Sequence, residues 1–225
     1  LIEMRKRILS ALLVLIFYSG CQNARVMNKI KESYKQSVSF FDSSLVTHFP
    51  MELPDSVGLV TNVPSKDTIK LLGFGVDELM LWKKYDSIKY NELKSHFVRI
   101  SQATYQANDS SLLLIFPYSN VVELDGRVFD NQESPLKQKL AEHNITKAKS
   151  LPVPLFNVDE FKGKSFCGLN EGFRLYVLGA ESGKFLPASE LQDCECLPKK
   201  WKHGYSKGVA LNDKQRIVIY WIIAW

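Results

Sequence analysis

Gly208-Val209-Ala210-Leu211-Asn212-Asp213-Lys214-Gln215-Arg216-Ile217-Val218-Ile219-Tyr220-Trp221-Ile222-Ile223-Ala224-Trp225 is the stretch that decides the fold of this chain. Two apolar runs flank the polar turn Asn212-Asp213-Lys214, which is the pattern of a β-hairpin. The second arm, Ile217 to Trp225, is nine apolar residues in a row. Such a run predicts a strand buried on both faces, its side chains filling the core on each side of a sheet. It is too short to cross a bilayer as a helix, which takes about 20 residues.

Other hairpin signals precede it. Asp125-Gly126 stands between Val121–Leu124 and Arg127–Phe129, and Asp-Gly supplies the two positive-φ residues of a two-residue hairpin loop. Phe97–Tyr105 and Leu112–Phe116 flank the turn Asn108-Asp109-Ser110 and read as a further hairpin, although Leu93, Phe97, Ile100 and Thr104 also fit a helix stripe. Phe173–Leu178 reads as a strand turning at Glu181-Ser182-Gly183 into Lys184–Leu186. Gly58–Val63 and Lys70–Phe74 are strand candidates, Leu79–Lys84 fits strand or helix, and Pro152 and Pro154 make any strand over Lys149–Phe156 an edge or an irregular one.

Helices are fewer. Val26, Ile30, Tyr34, Val38, Phe41 and Leu45 recur at helical spacing with Lys29, Lys31, Glu32, Lys35 and Gln36 around the other sides. This amphipathic helix is expected to pack on the domain body; its lysines also suit a helix lying in a membrane interface. Ser134-Pro135 opens another helix, capped by Ser134 and closed by Asn144. The order lacks the regular strand–helix alternation of a parallel sheet. It predicts an α+β fold, a mainly antiparallel sheet built from hairpins with an N-terminal amphipathic helix and a few short helices, forming one globular domain over 26–225.

The chain has 225 residues, 45% hydrophobic, with a formal net charge of +5. That apolar fraction excludes a largely disordered chain. Ahead of the domain, Arg5-Lys6-Arg7 leads into the apolar run Ile8–Phe17 and then Tyr18-Ser19-Gly20-Cys21, with Met4 as the expected initiator. Basic head, short apolar segment and small residues are the three parts of a secretory signal. With a cysteine at the junction, this segment resembles a bacterial lipoprotein signal, Tyr18 standing where leucine is usual. The resemblance implies a signal peptide over 1–20, palmitate-type acylation at Cys21, a tether over 21–25, and attachment to the cell envelope. Gln22, where aspartate would favour the inner membrane, implies the outer membrane, facing the periplasm. Residues 1–20 carry Glu3, Arg5, Lys6 and Arg7, so their removal lowers the charge from +5 to +3, too weakly basic to argue for nucleic acid.

Three cysteines then remain: Cys167, Cys194 and Cys196. The periplasm is oxidising, and Cys167 is expected to pair with Cys194 or Cys196, closing a loop of about 27–29 residues worth roughly 3 kcal/mol. Cys-x-Cys followed by His203 is not a zinc-site spacing, so no metal is expected. No cofactor motif, nucleophile elbow or phosphate loop occurs, and no catalytic residue is assigned. Lys199-Lys200-Trp201-Lys202-His203-Gly204-Tyr205 mixes charge with aromatic rings and forms a candidate recognition loop for a glycan or anionic lipid. The sequence thus predicts a membrane-anchored envelope lipoprotein with a non-enzymatic binding or structural role toward an envelope protein, a glycan or anionic lipid. The alternative is an envelope hydrolase or thiol enzyme using Cys167 or His203.

Overall fold

The computed structural model describes residues 27–53, 57–63, 76–116, 121–124, 127–130, 135–188, 191 and 196–225. Helix α1 covers 27–40. Strands β1 (Gly58–Asn62) and β2 (Asp77–Lys84), helix α2 (Ser87–Ile100), and strands β3 (Ala103–Gln106), β4 (Leu113–Ile115), β5 (Val121–Leu124) and β6 (Arg127–Asp130) follow. After helix α3 (Pro135–Ile145) come β7 (Pro152–Pro154), β8 (Phe173–Ser182), β9 (Gly204–Asn212) and β10 (Ile217–Ala224). Six strands form one sheet in the order β1-β2-β10-β9-β8-β3, antiparallel at every step. The molecule is an α+β fold on a large antiparallel sheet.

All eight residues of β10 are buried, because the sheet is covered on both sides. Ile217, Ile219, Trp221 and Ile223 point into one core with Met80, Phe173, Leu175 and Val177, roofed by Leu113, Val153, Phe156, Phe161 and Trp201. Val218, Tyr220, Ile222 and Ala224 point into the other, against Tyr34 and Phe41, the turn residues Leu45, Val46 and Phe49, and Tyr90 and Phe97 of α2. Period-two alternation therefore sorts an unbroken apolar run onto two apolar layers. The turn between β9 and β10 spans 213–216: the Asn212 side-chain oxygen accepts from the Gln215 N–H at 3.0 Å, and Arg216 takes a positive φ of 56°.

Two tryptophans lie across glycines on neighbouring strands. Trp221 pairs with Gly208 and Trp82 with Gly58. A Cβ on Gly208 would stand 2.4 Å from the Trp221 ring, and one on Gly58 1.9 Å from that of Trp82. Each indole thus covers strand backbone that any side chain would displace.

Several sequence expectations change. Residues 97–105 are not the first arm of a hairpin. Asp86 caps α2 by accepting from the Lys89 N–H at 2.9 Å, and the helical period buries Tyr90 and Phe97 while Val98 and Ile100 face outward. β3 then pairs with β8, whereas β4 pairs with β7 in parallel, a departure from an all-hairpin arrangement. The proline-bearing segment is accordingly a three-residue strand. Undecided Leu79–Lys84 lies in β2, and β8 runs on to Ser182 and pairs with β9 instead of turning back through 184–186. The N-terminal helical stripe stops earlier than its spacing suggests, because Leu45 belongs to a separate 3-10 turn capped by Asp42. β5 and β6 pair with Leu124 opposite Arg127, as a two-residue loop requires. Asn144, read as a helix closer, is instead a fully buried clamp: its amide donates to the Leu114 carbonyl at 2.7 Å and accepts from the Leu114 N–H at 2.9 Å. The signal region with Cys21, the strand expected at 70–74, the Asp125-Gly126 turn, Ser134 and Cys194 lie outside the described residues.

Candidate binding groove

Of the residues singled out by sequence, Cys167, Cys196 and Trp201 are drawn into the core. Cys167 is a free thiol with no solvent exposure, so its expected disulfide with Cys194 or Cys196 is not formed. Its Sγ lies 3.5 Å from the Ser165 hydroxyl, which donates to the Leu169 carbonyl. Burial pushes the thiol pKa up, against the hydrogen bonds from the Leu169 backbone and Ser165. That is the opposite of what a nucleophilic thiolate needs. Cys196 is buried. Among the described residues, no three His, Cys, Asp or Glu side chains converge as a metal-ligand set.

The proposed recognition loop splits in two. Lys199, Lys200 and Lys202 are exposed. Trp201 is turned inward, 2% exposed, its ring 6.3 Å from that of Trp225 and its carbonyl receiving the Trp225 indole N–H at 2.9 Å. Tyr205 packs edge-on to Phe185 at 4.6 Å. Trp201 is therefore not an open stacking platform, whereas Tyr205 stays partly exposed. Lys200 remains, its Nζ 4.9 Å from the Trp201 ring. His203 is half-buried, and its carbonyl accepts from the Gly183 N–H at 3.0 Å.

A different feature offers a ligand room. Between α1 and the segment 43–53 lies an open groove of about 890 Å³, within the range of ligand sites. Val38, Val46, Phe49 and Leu53 give it an apolar floor, and Lys31, Lys35 and Glu52 stand around it. Its geometry starts from α1. Lys31, Tyr34, Lys35 and Val38 follow helical spacing and share one face. Tyr34 crosses under the groove and donates to the Pro50 carbonyl at 2.6 Å, with its ring 6.5 Å from that of Phe49. Burial, and secondarily the neighbouring Tyr85, pushes the Tyr34 phenol above its ordinary range, so it stays a neutral donor.

The opposite wall is pinned to the sheet. His48 meets the Trp221 carbonyl through Nε2 at 2.9 Å, and Lys207 of β9 donates to the Ser44 carbonyl at 2.7 Å. Phe49 packs on Tyr220 at 5.9 Å. At the lip, Met51 is completely exposed. Sequence reading took α1 as a packing helix and passed over 46–53. Val46, Phe49 and Leu53, spaced three and four around Pro50, were the available signal.

A smaller cleft of about 300 Å³ lies beside Trp82, Lys83, Lys84, Glu160 and Phe161. The Trp82 indole donates there to Glu160 Oε2 at 2.8 Å, so the polar edge of the ring is already engaged. No protein-family model, curated protein or solved structure matches this chain.

Proposed function

We propose that the chain is a lipoprotein of the bacterial cell envelope, tethered through lipid on Cys21 to the outer membrane and facing the periplasm, and that it acts there as a non-enzymatic binding protein. The observation that carries the binding role is the groove between α1 and 43–53. It is apolar along its floor and charged at its rim, and the side chains described around it are lysines, hydroxyls and one carboxylate without a nucleophile–base pair. The lipobox-like sequence ending at Cys21 supports the tether. Against the alternative of an envelope hydrolase or thiol enzyme stands the sealed, upward-shifted thiol of Cys167. Among the described residues no helix is long and apolar enough to cross a membrane, and the attachment proposed here needs none.

Two measurements test this reading. Intact mass of the membrane-extracted protein should show an acylated N-terminus at Cys21, and Cys21→Ala should lose both the added mass and the membrane partition. A photoreactive benzophenone side chain at Thr47, an exposed residue of the groove wall, should capture a ligand in cells. The same group at exposed Ile88 of α2 should not. Equal capture at both positions removes the groove as the binding element.

A further inference from the structure

We propose that the groove takes an anionic phospholipid, with an acyl chain along Val38, Val46, Phe49 and Leu53 and the phosphate between Lys31 and Lys35; this rests on reading the groove as the binding element. The floor selects an apolar chain, since a wholly hydrophilic ligand would leave it in contact with water. The head is selected by charge. Lys31 and Lys35 are four residues apart on α1, so they rise on the same rim one helical turn apart. Both are exposed, and Glu52 is the one acid among the described lining residues, on the opposite wall. A phosphate diester placed between two ammonium groups is complementary to this rim, and a zwitterionic head brings its own cation into the same space.

Two further features suit a lipid over other amphiphiles. Met51 stands fully in solvent at the lip, a flexible apolar side chain of the kind that adapts to a fluid apolar partner. The groove also lies on the helix that follows the tether. Five residues lie between Cys21 and Met27, the first described residue of α1, a reach of at most about 20 Å when extended. A chain anchored at Cys21 therefore holds this rim close to the leaflet surface, where anionic headgroups are concentrated.

The test uses the full lipidated chain in nanodiscs of phosphatidylcholine alone or with a minor share of phosphatidylglycerol. Benzophenone is placed at Thr47 or, in a second variant, at Ser39, both lining the groove, and adducts are read by mass spectrometry. Phosphatidylglycerol should be captured roughly fivefold or more above its share of the lipid, a preference of about 1 kcal/mol. Lys31→Glu/Lys35→Glu should return capture to that share, with the thermal melt confirming that the variant is folded. Capture in simple proportion to lipid composition overturns the proposal, as does enrichment that survives charge reversal, or a polypeptide adduct in cells. Each of those results leaves the groove as a binding element. No adduct above the Ile88 control overturns the proposal and the binding reading together.

Discussion

The hydroxyl of Tyr34 reaches the carbonyl of Pro50 at 2.6 Å, sixteen residues away. This bond ties α1 to the far wall of the groove and fixes the width between them. Tyr34→Phe keeps the ring packing on Phe49 and removes only the bond. The expected loss is about 1–2 kcal/mol in urea unfolding, because the carbonyl is left without its donor. Hydrogen exchange should rise at 51–53 and remain unchanged in β10. An unaltered exchange pattern would show that the wall is held by other contacts.

Asn144 satisfies both backbone groups of Leu114 from a site with no solvent exposure. Asn144→Ala should cost roughly 2–4 kcal/mol, since it strands two buried polar groups at once. Asn144→Asp keeps the shape but can no longer donate to the carbonyl, and it buries a charge. It should be at least as damaging as alanine near neutral pH. Parallel chemical melts of the two variants decide, and a milder aspartate effect would argue against the clamp.

Ile219 is fully buried in the middle of β10. Ile219→Ala should destabilise by about 2–5 kcal/mol, a large part of an ordinary domain's stability. Charge reversal at exposed Lys199 and Lys200 should leave the melting temperature where it is. A melt indifferent to Ile219→Ala would mean that the strand is not core.

His48 and Glu78 pull stability in opposite directions with pH. Burial, aided by the charge of Lys207 and opposed by the Trp221 carbonyl, brings the His48 imidazole from 6.5 to about 3. Below pH 6.5 the unfolded chain therefore takes up a proton that the folded chain refuses. Stability falls toward pH 3, by at most about 1.4 kcal/mol per unit. Burial raises the Glu78 carboxyl from 4.5 to about 7. Its contribution is complete below pH 4.5 and is lost as pH rises through 7. His48→Gln should flatten the acid limb, and Glu78→Gln should gain on the order of 1–3 kcal/mol at pH 8 but nothing at pH 4. Denaturant melts across this range check both signs.

Cys167 should resist alkylation by iodoacetamide in the native protein and react fully once unfolded, given its burial and raised pKa. Modification of the native protein at the rate of an exposed thiol would restore the thiol-enzyme alternative.

The parts of this fold legible in sequence are those encoded by neighbours in the chain. The terminal hairpin and the β5–β6 pair carry turn residues between apolar runs, and both form. Residues 97–104 carry period two and period 3.6 together; the helix capped at Asp86 takes them as far as Ile100, and Ala103 and Thr104 go to β3. Asn144 looked like a helix terminator because asparagine tolerates that position, but its partners lie thirty residues away. Trp201, set among lysines, reads in sequence either as a ring packed inward or as a ligand platform; it packs inward, and its neighbour is Trp225, twenty-four residues on. The groove was illegible for the same reason, because its two walls are brought together by contacts to β9 and β10 that local pattern does not record.

The strand order carries a consequence for the timing of biogenesis. β1 and β2 lie on one side of β10, and β9, β8 and β3 lie on the other. Lys84 of β2 finds its partner only in Ile217, so the halves of the sheet remain separate until residue 224 has emerged from the ribosome. Closure of so distant a pair is entropically slow. Among the described strands β10 is the last in the chain, so the six-stranded sheet has a gap at its centre until that strand has been made.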